Sequence, residues 1–297
     1  MLIAMTSIPD IKPGQSIELL KALHILTREG KLNQDSRRKL KQVHHLAQFI
    51  EPLLREAAQE HPDVALVDHG AGKSYLGFIL YDLFLKDPGS AARVFGIEVR
   101  PELVQQSAAL AARLGFERMT FVNATVAEAI GAPELPARVD IVTALHACDT
   151  ATDDAIAFGL AKKARFVVVA PCCQAEVAAT LTRNKPAAVP RESLSLLSLS
   201  ELWRHPLHTR EFGSQITNVL RCLELEAHGY QVSVTELVGW EHSMKNELIV
   251  ARFRNLPGQR AAQRLDELLN MLSLNSLRFR FKPEIVGKVE GATLDPG

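Results

Sequence analysis

The stretch Val64–Ser74, VALVDHGAGKS, constrains the fold more than any other part of the chain. Val64, Ala65, Leu66 and Val67 are a short apolar run of strand formers. Asp68 ends it, and Gly70 and Gly72 follow. Tyr75–Phe84, YLGFILYDLF, then reads as an apolar helix. A buried strand, a glycine turn and a helix start are the parts from which α/β sheets build nucleotide-type ligand sites. Glycine lets backbone approach a ligand where a Cβ would block it. Asp68 can orient the turn or reach a positively charged ligand group. A tight turn without any ligand is the alternative.

The pattern that follows repeats this unit. Asp87-Pro88-Gly89-Ser90 is a turn, and Ala92–Glu98 (ARVFGIE) a second strand ending in an acid. Pro101–Leu114 reads as a helix stopped by Gly115, and Met119–Val122 as a third strand followed by Asn123-Ala124-Thr125. Val126–Ile130 is a short helix. Val139–Leu145 is a fourth strand running into His146-Ala147-Cys148-Asp149, with a helix then to about Ala161. Arg165–Ala170, RFVVVA, is a β-branched run that suits a strand buried on both faces, and it ends at Pro171-Cys172-Cys173-Gln174. Strands alternating with helices over Val64–Ala170 imply a doubly wound parallel α/β sheet. Ligands of such sheets sit beyond the carboxyl ends of the strands, where all these polar clusters fall.

Three ligands compete for the glycine turn. A phosphate-binding P-loop requires Gly where Val67 stands, so Gly72-Lys73-Ser74 does not qualify. A dinucleotide fingerprint requires a small residue where bulky Tyr75 stands. The remaining Asp-x-Gly-x-Gly resembles motif I of the class I S-adenosylmethionine (SAM) methyltransferases. Glu98, about 25 residues past the turn, can accept both ribose hydroxyls of an adenosine. VDHGAGKSYL, LHACDTATD, APCCQ and EHSMKN occur in the order of one methyltransferase-like subgroup. A related branch of that subgroup contains tRNA ribose 2′-O-methyltransferases. The likeness runs from about Asp68 to Asn246. Ser74 replaces the usual Gly of Gly-Lys-Gly, Ala71 fills a position that often holds Ser or Cys, and Ser243-Met244 stands where Thr-Pro is common.

The resemblance implies a Rossmann-like, mostly parallel seven-stranded methyltransferase sheet with an N-terminal helical extension. It implies SAM as cofactor, held by Asp68, Gly70, Gly72, Lys73, Glu98, Asn123, Ala124 and Leu145. His146, Cys148, Asp149, Asp153, Cys172 and Cys173 would face the methyl acceptor. His146 either takes an acceptor proton or is structural, and Asp149 and Asp153 either serve catalysis or cap the following helix. His146, Cys148, Cys172 and Cys173 could form a zinc set, but adjacent cysteines suit one ion poorly, so no metal is expected.

Residues 1–60 read as a helical preface: a helix within Ser16–Gly30, a second from Asp35 or Ser36 to about Pro52, and a third over Leu53–Glu60. The preface carries Lys31, Arg37, Arg38, Lys39 and Lys41 with Asp35 as the one acid among them. This is either a solvated helix face or a phosphate-contacting patch for RNA. The chain of 297 residues has a formal net charge of +0, which disfavours bulk electrostatic binding of nucleic acid. The start, MLIAMTSIPDIKPG, suits neither a signal peptide nor a membrane span, so a cytoplasmic protein is expected.

Beyond the fifth strand, Ala175–His205 reads as an insertion with a possible lid over Ser193–Trp203. Trp203, His205 and His208 then form either a base-stacking wall or ordinary packing. Thr209–Gly229 is a long helix with Ile216, Val219, Leu220, Leu223 and Leu225 inward and Arg210 and Arg221 on its flanks. Tyr230–Val238 and Glu247–Phe253 are the last strands, the final one antiparallel. Residues 61–256 thus form the catalytic domain. A helix over Pro257–Leu274 and a partly disordered tail complete the chain. The function classes are a SAM-dependent methyltransferase acting on RNA, a SAM- or RNA-binding module without catalysis, and a protein methyltransferase.

Overall fold

A computed structural model describes residues 11–87, 89–145, 149–171, 174–184, 201–236 and 247–281. The elements in chain order begin with α1 (Ile17–Ala22), α2 (Gln34–Glu60), β1 (Ala65–His69) and α3 (Tyr75–Leu80), the last widening into a π turn over Tyr81–Leu85. β2 (Arg93–Glu98), α4 (Pro101–Leu114), β3 (Met119–Asn123), α5 (Val126–Gly131) and β4 (Ile141–Leu145) follow. Then come α6 (Thr150–Ala161), β5 (Phe166–Ala170), α7 (Glu176–Arg183), α8 (Pro206–Ala227), β6 (Tyr230–Glu236) and β7 (Glu247–Phe253). α9 (Gln259–Met271) and the one-turn α10 (Arg278–Phe281) close the described chain.

The seven strands form one sheet in the order β3-β2-β1-β4-β5-β7-β6. β1 to β5 run parallel, and β7 pairs antiparallel with both β5 and β6. The strand order reverses between β1 and β4, which makes their carboxyl ends the topological switch point. β1 and β5 are buried along their whole length, as their uninterrupted apolar sequences require between two helical layers.

The first layer packs α1 to α4 on one face, through Leu20, Ile50, Leu54, Leu66, Phe78 and Val94. The second packs α5 and α6 on the other, through Val67, Ile97, Val142, Ile156 and Phe158. A third cluster joins α7, α8 and α9 through Val177, Leu181, Leu220, Leu265 and Leu269. The N-terminal helices therefore share a core with the central strands.

The expected break at Pro52 does not occur, and α2 runs through it as a single helix of 27 residues. Pro52 removes one backbone bond. Leu46, Ala47 and Ile50 before it and Leu53, Leu54 and Ala57 after it are all buried on the same face, which outweighs that loss. In α8, Leu220, Leu223 and Leu225 point inward as expected, but Val219 is exposed and Arg221 is completely buried. Residues 237–246, including the EHSMKN segment, lie outside the described residues, as do 185–200, which hold all of the possible lid Ser193–Trp203 but its last turn, Glu201–Trp203, and the tail from 282.

Candidate functional site

The β1 turn is wound by three residues of positive φ: Gly70 at 64°, Gly72 at 57° and Ser74 at 50°. The last explains why glycine is common at that position, because a Cβ in the left-handed region costs about 1–2 kcal/mol. Ser74 is completely buried, and its hydroxyl donates to Asp68 Oδ2 at 3.4 Å. Asp68 is buried at the end of β1, and its Oδ1 accepts from the Thr143 hydroxyl of β4 at 3.1 Å. Burial pushes its carboxyl up to about 7, against the pull of the bonds from Thr143, Ser74 and the Gly77 backbone. Asp68 thus ties the turn to the neighbouring strand.

Glu98, the last residue of β2, ties the same turn from the other side. Its Oε2 accepts from the Gly72 backbone N–H at 2.8 Å. Its Oε1 accepts from the Arg100 backbone N–H at 3.0 Å and from Arg100 Nε at 2.9 Å, and Arg100 Nη2 reaches Oε2 at 3.1 Å. Burial raises this carboxyl, but the bonds from Arg100 and Gly72 outweigh it and leave it below its ordinary value, so it is ionised at neutral pH. Asn123, at the end of β3, donates to the Glu98 carbonyl at 2.9 Å. Ala124 is buried beside it, Leu145 is half-buried at the end of β4, and Lys73 points into solvent. All eight expected cofactor residues therefore gather at the carboxyl ends of β1 to β4.

The arrangement fits an adenosine-bearing cofactor. A Cβ added at Gly72 would meet nothing nearer than the Arg100 guanidinium at 3.8 Å, so the turn presents open backbone beside an ionised carboxylate. Two neighbours went unremarked in the sequence. Arg100 covers the outer edge of Glu98. His69, between Asp68 and Gly70, is only 6% exposed, and among the described residues neither of its ring nitrogens meets a hydrogen-bond partner.

Of the residues expected to face a methyl acceptor, His146, Cys148, Cys172 and Cys173 lie outside the described residues. The strands that lead to them are adjacent, with Leu145 in register with Ala170. The flanking residues are described. Asp149 takes a φ of 51°, and its Oδ1 accepts from the Ala175 N–H at 3.1 Å, bridging the loops after β4 and β5. Although it occupies the N-cap position of α6, it makes no side-chain cap.

Asp153 is not a cap either. It is buried and holds Arg221 through Oδ1 to Nε at 2.6 Å and Oδ2 to Nη2 at 3.1 Å. Arg221 also donates to the Asp149 carbonyl at 2.9 Å and to Asn218 Oδ1 at 3.1 Å. Asn218 accepts in turn from Gln174 at 3.1 Å, just past the two cysteines. Burial raises the Asp153 carboxyl, and the Arg221 bonds and charge only partly offset this. The expected position of Arg221 on a flank is thus corrected: it is the buried centre of a network joining α6, α8 and the loop after β5. An arginine on this amphipathic helix gives no sign in the sequence of a carboxylate 68 positions away.

Arg37, Arg38 and Lys41 are exposed on the first turns of α2, while the side chain of Lys39 lies outside the description. His205 and His208 pack edge to face at 5.4 Å between ring centroids, and the Trp203 side chain is not described. Among the described residues no helix is long and apolar enough to cross a membrane.

Residues 38–180 match the family model of a methyltransferase domain, a span that contains the turn, Glu98, Asn123 and the ends of β4 and β5. A Bos taurus protein described as a glutathione S-transferase C-terminal domain-containing protein is 26% identical over 236 residues, 75% of this chain and 34% of that protein. The chain thus spans about a third of the length of this curated relative.

Among solved structures, the magnesium protoporphyrin IX methyltransferase of Synechocystis with bound SAH is 13% identical. It covers 79% of this chain and 94% of its own, with a TM-score of 0.43. An SAH-bound methyltransferase from Podospora anserina is 11% identical over 80% of this chain and 88% of its own, also at 0.43. Residues 38–180 are thus similar to a methyltransferase domain, the class that the motifs resemble.

Proposed function

We propose that the chain transfers a methyl group from SAM to an RNA, with Glu98 on the cofactor ribose and His146 on the acceptor side. The observation that carries this reading is the Glu98 carboxylate 2.8 Å from the Gly72 N–H, which makes the acid and the turn one unit. When bound, SAM supplies a methyl on a sulfonium: the acceptor lone pair bonds the methyl carbon as the S–C bond breaks and its electrons stay on sulfur. Placement and exclusion of water supply much of such a rate. In this reading Asp68 shapes the turn with Gly70 and Gly72, Lys73 stands at its rim, and Asn123, Ala124 and Leu145 line the adenosine side. His146 takes the acceptor proton, and Cys148, Cys172 and Cys173 shape the space around it. Asp149 and Asp153, committed to Ala175 and Arg221, hold those loops in place. The catalytic unit is residues 61–256, with 1–60 presenting the RNA.

Arg37, Arg38 and Lys41 on one exposed helix end, with Lys39 among them in sequence, support RNA as acceptor through phosphate contacts. Tritiated-methyl transfer to total RNA and to total protein tests it. Label is expected in RNA, with affinity that falls steeply with salt and a shallower slope when these four residues are neutralised. Label in protein alone overturns the RNA reading, and label in neither favours a binding module.

A further inference from the structure

We propose that His69 is a cofactor-binding residue, hydrogen-bonding the nucleoside part of SAM from the side of the β1 turn opposite Asp68. The proposal rests on the reading of the site as a SAM site. Strand geometry sends neighbouring side chains to opposite faces. Asp68 turns toward α3 and is met by Thr143 and Ser74. His69 turns toward α6, where the Phe158 ring lies 6.0 Å away. The histidine is 6% exposed, yet among the described residues neither Nδ1 nor Nε2 has a partner.

That is unusual for a buried imidazole, because an unpaired polar atom loses its water and gains nothing in return. The other residues on this face of β1, Ala65 and Val67, are apolar and well packed. An apolar residue at 69 would continue that surface. The histidine therefore gives up apo stability at a position next to Gly70 and within reach of the Glu98 charge. Burial holds the ring neutral, down to about 4, so it keeps one N–H donor and one bare nitrogen as acceptor. A ligand that satisfies it must supply a group that both gives and accepts hydrogen bonds. A ribose hydroxyl does so, and an adenine edge offers both kinds of site. Phe158 packs against one side of the ring, and the cofactor turn begins at the next residue, Gly70.

The test is SAH and adenosine binding by calorimetry, thermal melting with and without SAH, and ¹⁵N spectra of the histidine rings in the unmodified chain. His69→Leu should melt at the same temperature as the parent or higher without ligand, and should bind SAH about tenfold more weakly. Adenosine affinity should fall by the same factor. His69→Gln, which keeps a donor and an acceptor, should lose less. The His69 nitrogen signals should shift when SAH saturates the parent.

A folded His69→Leu variant that binds SAH within about twofold of the parent overturns the proposal and leaves the SAM site standing. Should that variant fail to fold, unchanged His69 signals in the saturated parent overturn it equally. A parent that binds neither SAH nor adenosine overturns the SAM reading itself.

Discussion

Asp68 and His69 are neighbours in sequence whose buried charges respond to acid in opposite ways. Burial raises Asp68 to about 7 and lowers His69 to about 4. Between its ordinary value near 3.8 and about 7, Asp68 keeps in the folded chain a proton that the unfolded chain has lost. Its contribution therefore favours folding at low pH and is lost as pH rises to about 7. His69 does the reverse: the unfolded chain binds its proton from about 6.5 downward and the folded chain only near 4, so stability is lost as pH falls through that window.

Asp68→Asn removes one of the two. The variant should gain stability relative to the parent as pH rises from about 4 to 7, by on the order of 3–4 kcal/mol in urea unfolding. A pH-independent difference would show that Asp68 is ionised throughout. Both residues stood in the sequence motif, but only Asp68 was legible as part of the site. The pattern Asp-x-Gly-x-Gly carries no information about x. What singles out His69 is burial without a partner, which appears only once β1 is placed between α6 and its neighbours.

At the scale of elements, strands β1 to β5 and helix α4 were legible nearly to the residue, because apolar runs bounded by Gly, Pro and Asp leave few alternatives. The continuous α2 was not, because Pro52 is a breaker locally and only the buried face on both sides of it decides otherwise. Arg221 was missed for a related reason: helical periodicity places it, but its partners come from α6 and from two loops.

Glu224 lies buried beside that network, and among the described residues neither of its carboxylate oxygens has a partner. Burial, with Asp153 adding to it, pushes its carboxyl well above the ordinary value, which leaves the Arg221–Asp153 pair balanced by a neutral neighbour. Arg221→Met should then cost about 3–5 kcal/mol, since it strands Asp153 as an uncompensated buried charge, and Asp153→Leu added to it should restore part of that loss. Urea unfolding of the two singles and the double measures this. A loss under about 1 kcal/mol for Arg221→Met would mean that the network does not hold the loops after β4 and β5.

At the scale of the molecule, a reversal of strand order between β1 and β4 collects a turn, an acid and an amide from separate parts of the chain at one sheet edge. Composition helped little here, since a net charge of +0 disfavours bulk electrostatic binding of nucleic acid but leaves room for a local basic patch and names no acceptor. The central claim is that this edge binds SAM through Glu98. Calorimetric titration of SAM into the parent and into Glu98→Ala tests it most directly. Loss of two charge-assisted hydrogen bonds should weaken SAM by about 2–4 kcal/mol, some 30- to 1000-fold in Kd, with the folded state intact by circular dichroism. Equal SAM affinity in the two proteins would contradict the assignment.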